Sequence, residues 1–296
     1  MKIQSLFFVL FIFLLESCDE KLIYNKEELV IENEDSIKGF KYKGELYSGD
    51  YERYYDDSCK ILKEKGEFSD GKRDGNWVIY FINGNVEEKG FFIDGEKDGE
   101  WVSYYENGQV QNKGFYSLGE LNGLYKAYYG NRQLHSKGSY LNGKKNGVWE
   151  EYFIDTIEWI SKGSYLNGEP EGVWEGYYDD GTLYYKGSYL NGKKNGVWEY
   201  YHYNGKIWEK GSYLNGEKNG VWEVYHENGQ LNARGSYLNG KKNGVWEGYN
   251  KIGQLISKSS YLNGEMDGVW EYYDISGHTW AKSTYQNGKY IEGDLW

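Results

Sequence analysis

A single proline, Pro170, interrupts a chain of 296 residues. Proline cannot donate to a strand ladder, so its near absence leaves the chain open to many hydrogen-bonded strands. Alanine is almost missing as well, and no sustained helical apolar period runs beyond residue 36, so helices are not expected there. The two cysteines, Cys18 and Cys59, cannot build a disulfide framework. Histidines stop at His135, His202, His226 and His278, with no His-x-x-x-His or Cys-x-x-Cys spacing. A zinc site therefore lacks ligands, and no metal or other cofactor is expected. Basic residues are outnumbered, 34 Lys and Arg against 46 Asp and Glu, for a net charge of −12. The lysines alternate with acids and do not cluster, which argues against binding nucleic acid or anionic lipid surfaces.

What is present is aromatic and repetitive. Tyr, Trp and Phe make up 19% of the residues and Gly adds 41 more, the pairing of strand formers with turn formers. Gly-Val-Trp or a variant recurs at Trp77, Trp101, Trp149, Trp174, Trp198, Trp222, Trp246 and Trp270, with Tyr125 in one intermediate copy and Tyr51 in a weaker first one. The period is 24 residues, apart from 25 after Trp149 and 26 after Tyr51. A Gly-Ser-Tyr phrase runs in step with it. Such periodicity is read before any other signal. It gives an all-β expectation: about ten β-hairpins forming one elongated, single-layer antiparallel sheet over residues 40–296.

Turn chemistry supplies a register. Asn83-Gly84, Asn107-Gly108, Asp180-Gly181, Asn204-Gly205 and Asn228-Gly229 read as two-residue type I′ turns inside the hairpins. Counting outward puts Val224 opposite Ala233, Glu223 opposite Arg234 and Trp222 opposite Gly235. The same count pairs Trp77, Trp101, Trp174 and Trp198 with Gly90, Gly114, Gly187 and Gly211, a three-residue loop keeps Trp149 opposite Gly163, and each such glycine is expected to make room for the indole opposite it. Alternation places Trp222, Leu231, Gly235 and Tyr237 on a packed face. Val221, Glu223, Tyr225, Arg234 and Ser236 fall on a solvated one. Phrases such as Asn-Gly-Lys-Lys-Asn-Gly read as turns throughout. They lack the Ser/Thr and the strand-to-helix context of a phosphate loop.

The pattern Tyr-x-Asn-Gly-Lys-x-x-Gly-x-Trp-x-x-Tyr-x-x-Asn-Gly resembles the bacterial variant of the MORN (membrane occupation and recognition nexus) repeat, and does so through most of the chain. The resemblance implies a strand-rich array that acts as a scaffold or interaction platform. The N-terminus reads as an address. Lys2 precedes an apolar run from Leu6 to Leu15, too short to span a bilayer and suited to a signal-peptide core. Leu15-Glu16-Ser17-Cys18 resembles a bacterial lipobox, so residues 1–17 are expected to be a signal peptide, Cys18 the lipidated residue, and 18–39 an acidic tether or cap. The expected location is the bacterial cell envelope, membrane-attached through Cys18, with secretion as the alternative.

No arrangement of residues carries catalysis. No serine sits in a nucleophile elbow. The carboxylate row Glu150, Glu175, Glu199, Glu223, Glu247 and Glu271 faces lysines or their equivalents, which keeps every member ionised where a glycosidase needs a split pair. The surviving functional signal is a tyrosine ladder, Tyr152, Tyr177, Tyr201, Tyr225, Tyr249 and Tyr273, beside those charges. Tyrosine suits recognition because its ring is apolar and its hydroxyl is not. The expectation is a non-enzymatic, envelope-anchored scaffold that binds another protein or a surface polymer. An antitoxin- or immunity-like protein that sequesters a toxin is the second reading, implied by the resemblance alone.

Overall fold

The computed structural model describes residues 45–55, 60–153 and 159–295, together with the backbone of the short strands Leu22–Ile23 and Lys41–Tyr42. All regular structure among them is β-strand. Contacts group the chain into two compact units, one running to Leu134 with 140–143 added, the other formed by 135–139 and the residues from Lys144 onward. In the first unit, strands Gly49–Tyr54, Leu62–Ser69, Lys72–Tyr80, Val86–Ile93, Glu96–Tyr104, Val110–Ser117 and Glu120–Tyr128 each pair antiparallel with the next. Leu22–Ile23 lies parallel to Tyr51-Glu52. In the second unit, the strands from Lys144–Tyr152 to Lys289–Leu295 form an antiparallel meander.

The turns differ from the expectation in an instructive way. Gly205 has φ 78°, but Asn204 is not in the left-handed region. Its carboxamide accepts the Lys206 N–H at 3.0 Å, which holds the asparagine in an ordinary conformation. Gly205 N–H donates to the His202 carbonyl and His202 N–H to that of Lys206, both at 2.8 Å. The connection is thus a three-residue loop ending in a left-handed glycine, not a type I′ turn. The expected register survives because a bulge follows at once. Tyr225 pairs with Leu231, which leaves the Trp222 set, and Val224 then pairs with Ala233 as counted. The true type I′ turns join consecutive repeats: Asn191 and Gly192 have φ 50° and 75°, and Asn215 and Gly216 have 53° and 93°.

The second Asn-Gly of each Asn-Gly-Lys-Lys-Asn-Gly phrase is not a turn either. Gly196 lies inside strand Lys193–Tyr201 with φ 77°. Pairing jumps there from Ser188–Asn195 to Lys186–Glu199, so three residues, Gly196-Val197-Trp198, face Gly187 alone. This bulge throws the indole across the glycine of the preceding strand. A Cβ on Gly187 would stand 2.1 Å from the Trp198 ring, and one on Gly211 2.3 Å from that of Trp222. The register partners are as expected, Trp198 with Gly211 and Trp222 with Gly235. The room comes instead from the glycine eleven residues earlier, because the bulge tilts each ring backward along the array.

The opened ladder leaves a carbonyl that the indole claims. Trp198 Nε1 donates to the Ser188 carbonyl and Trp222 Nε1 to that of Ser212, both at 3.0 Å. Trp77, Trp101, Trp149, Trp174, Trp246 and Trp270 make the same bond. Tyrosines close the seam edge-on. Tyr213 lies 5.9 Å from Trp198 and 5.2 Å from Trp222, so one ring serves two repeats. A lysine covers the indole of Trp101, Trp149, Trp198, Trp222 and Trp246, with Lys218 Nζ 3.8 Å from the Trp222 centroid and Lys97 Nζ 3.9 Å from that of Trp101, and Arg73 covers Trp77. Trp77, Trp101, Trp198 and Trp222 are fully buried in consequence. Trp270 follows Ser259 where the others follow glycine, and it is only half-buried.

These contacts predict a contrast between two glycines of the first unit. A Cβ on Gly90 meets Trp101 at 2.2 Å, whereas one on Gly130 meets nothing within 4 Å at an ordinary φ. Gly90→Ala is expected to cost about 1–3 kcal/mol through overpacking, and Gly130→Ala to stay within about 0.5 kcal/mol. Urea midpoints of the two variants make the comparison, and equal midpoints would contradict the seating described.

Candidate binding surface

The tyrosine ladder is a lattice of internal bonds. Tyr201 Oη donates to Glu199 at 2.7 Å and Tyr225 Oη to Glu223 at 2.6 Å, two residues back on the same strand face. Tyr152, Tyr177, Tyr249 and Tyr273 do the same toward Glu150, Glu175, Glu247 and Glu271. All six rings are half-buried. The carboxylates in turn gather cations from strands on either side: Glu150 takes Lys137 at 2.8 Å and Lys162 at 3.2 Å, and Glu223 takes Lys210 at 3.1 Å and Arg234 at 3.6 Å. Alternation set the side on which these residues lie, and the hydroxyls are committed within the chain.

Titration follows from this wiring. Burial pushes the Glu150 carboxyl up, but hydrogen bonds from Lys137, Tyr152 and Lys162 outweigh it and hold the group at about 2. The bond from Lys186 lowers Glu175, and the bonds from Tyr225 and Tyr273 lower Glu223 and Glu271. Burial, then the bond to Glu199, pushes the Tyr201 hydroxyl up to about 12.

A second set of aromatic residues breaks the repeat. Tyr178 lies 5.0 Å from both Tyr184 and Tyr203, and Trp208 packs at 6.3 Å from Tyr200 and 6.4 Å from His202. Tyr203 is 56% exposed, Trp208 40% and Tyr184 37%, an uncovered group near the hairpin loops. Tyr203 Oη donates to Asp179 at 3.2 Å. One repeat later the positions of Tyr203 and Trp208 hold Glu227 and Asn232. Beneath the group, Lys194 Nζ donates to Tyr200 Oη at 2.7 Å, while burial lowers Lys194 and raises Tyr200. Sequence reasoning passed over these residues; their column varies from repeat to repeat (Tyr184, Trp208, Asn232, Ile256, Trp280), and aromatic residues gathered at such variable positions are the signal that marks them.

The histidines have a structural task. His202 Nε2 donates to the Tyr225 carbonyl at 3.1 Å and His226 Nε2 to that of Tyr249 at 3.0 Å, each 23 residues ahead. A carbonyl only accepts, so Nε2 carries the proton in each bond. Tyr178 and Tyr105 hydroxyls occupy the same place, reaching the carbonyls of Tyr201 and Tyr128 at 2.8 Å. Among the described residues no group of three or more His, Cys, Asp or Glu side chains is arranged to hold a metal ion. Cys18 and Cys59 lie outside the described residues.

The carboxylate lattice predicts an acid-sensitive term. A depressed carboxyl stabilises the fold above its unfolded value, and that contribution is lost as pH falls through the native one. For Glu150 the window runs from 4.5 down to about 2. The wild-type urea midpoint is expected to fall more steeply over that window than that of Glu150→Gln, and parallel slopes would remove the carboxylate from the acid response.

Residues 97–117, 170–191, 194–215 and 218–239 match the MORN repeat variant. No match was found among curated protein sequences. Of solved structures, the crystal structure of TcdB2-TccC3 is 12% identical over 76% of this chain and 13% of its own, with a TM-score of 0.20. A Photorhabdus luminescens Tc holotoxin pore is 14% identical over 79% of this chain and 13% of its own, with a TM-score of 0.18. The chain spans about an eighth of those chains, and scores so low carry no argument about it. Each matched segment contains a seam tryptophan and the glycine paired with it, Trp101 and Gly114, Trp174 and Gly187, Trp198 and Gly211, Trp222 and Gly235: these four hairpins are MORN repeats of the variant type.

Proposed function

We propose that the protein is a non-catalytic, envelope-anchored scaffold that captures a protein or surface polymer on the exposed aromatic group of Tyr184, Tyr203 and Trp208. Proteins of MORN repeats are generally non-catalytic. The observation that carries the reading is local. Repeats built alike on the tryptophan seam differ here: Tyr203 and Trp208 turn rings to solvent where the next repeat holds Glu227 and Asn232. Exposed Trp and Tyr bring large contact area at small entropic cost, which is why such residues anchor interfaces. In this reading the glutamate–tyrosine lattice stiffens the sheet, and Cys18 attaches the array to the membrane that the partner approaches. A single acyl chain binds only weakly, so the anchor is of the multiply acylated kind.

Two measurements test this. Cells fed labelled fatty acid are expected to label the wild-type chain and not Cys18→Ala; an unlabelled wild type removes the anchor. A photo-cross-linking amino acid placed at Trp208 is expected to give a discrete adduct in cells, and the same residue placed at Asn232 none. Adducts at both positions, or at neither, would remove the aromatic group as the capture surface.

A further inference from the structure

The second unit carries a series of charged side chains that its own chain leaves unmatched. Every turn between its repeats is flanked by one cross-strand pair: Leu166 with Glu169, Leu190 with Lys193, Leu214 with Glu217, Leu238 with Lys241 and Leu262 with Glu265. The charged member changes sign at every step. Lys144 precedes the series and Lys289 follows it, so the order is Lys, Glu, Lys, Glu, Lys, Glu, Lys. All seven are exposed, and among the described residues none joins an ion pair. The fold does not demand the alternation, because the equivalent positions of the first unit are Lys72, Glu96 and Glu120.

The surface around the series is open, with leucines and valines on either side of the pairs Ser188–Asn195, Ser212–Asn219 and Ser236–Asn243. The leucines from Leu166 to Leu262 are about half exposed, and Val197, Val221 and Val245, on the same sheet face, are 62%, 50% and 55% exposed.

A row of alternating charge is complementary to itself. Turned end for end about a twofold axis that passes midway between two central members, it sets six of the seven against a side chain of opposite sign and leaves one terminal lysine over. A row of one sign would repel its copy, and in a chain of net charge −12 local complementarity offsets part of the general repulsion between copies. We propose that this face of the second unit binds a second copy of the chain, antiparallel, with the alternating row setting the register and the leucines and valines supplying the buried area. Five repeats of two strands each, over a stripe about five residues deep, cover roughly 800 Å² per copy, the contribution of each partner to a standard interface. The proposal stands apart from the aromatic group, which lies toward the opposite ends of the strands.

Charge swapping tests it. Sedimentation velocity of the full chain in mild detergent, across a wide concentration range, is expected to show a dimer that weakens with added salt. Glu169→Lys, Glu217→Lys and Glu265→Lys together give an all-lysine row, and Lys144→Glu, Lys193→Glu, Lys241→Glu and Lys289→Glu together an all-glutamate one. Each variant alone is expected to dimerise at least tenfold more weakly than wild type, and an equimolar mixture of the two to recover the dimer. A wild type that sediments as a monomer throughout overturns the proposal, as do single-sign variants that dimerise as tightly as wild type. Emission of the buried tryptophans reports folding. Should a charge variant lose it, Val197→Ser with Val221→Ser and Val245→Ser probes the same face, and undiminished dimerisation then overturns the proposal equally.

Discussion

An indole ring has to lie flat against a strand that offers no Cβ, and most of this protein follows from that one requirement. Gly187 beneath Trp198 and Gly211 beneath Trp222 admit no side chain. To reach across, the tryptophan strand needs an extra residue, and the left-handed Gly196 or Gly220 before it provides the bulge. The bulge frees a serine carbonyl, which the indole N–H takes up. Around Trp198 and Trp222, two glycines, a serine, a tyrosine and a covering lysine are therefore fixed relative to the ring.

The arrangement also explains how a sheet with one packed face holds together. Conventional domains bury a sheet against a second layer. Here the second layer is made of the strands' own tyrosines and lysines, folded down over the tryptophans. Because Tyr213 touches both Trp198 and Trp222, the packing of one repeat is finished only by its neighbour. Stability is accordingly a sum of near-identical local terms. The change at Ser259 shows how local they are, for it loosens Trp270 while Trp222 stays wholly buried.

Much of this was legible in the sequence. The Trp222–Gly235 and Glu223–Arg234 pairings could be counted from Asn228-Gly229, since alternation and loop length leave few registers open. The count succeeded through two deviations that cancel, a loop one residue longer and a bulge one residue further on. What stayed hidden has a common cause. A glycine in a sequence does not say whether its φ is positive, so Gly196 could not be told from a turn glycine, nor Gly187 recognised as the seat of Trp198. Alternation likewise gave the side on which Tyr225 lies, but not the rotamer that returns its hydroxyl to Glu223. The aromatic group around Trp208 was masked by the repeat itself, because attention to the shared pattern discounts the positions that leave it.

The bonds from His202, His226 and Tyr178 to carbonyls 23 residues ahead fasten each loop to the following hairpin and to no other. Under a pulling force such fastenings fail one at a time. Each failure releases a single hairpin, which pays out about 80 Å of extended chain before the next clasp takes the load. An array held at one end and loaded at the other would thus lengthen in equal steps at nearly constant tension, giving way as a shock absorber does while its remaining repeats keep their form.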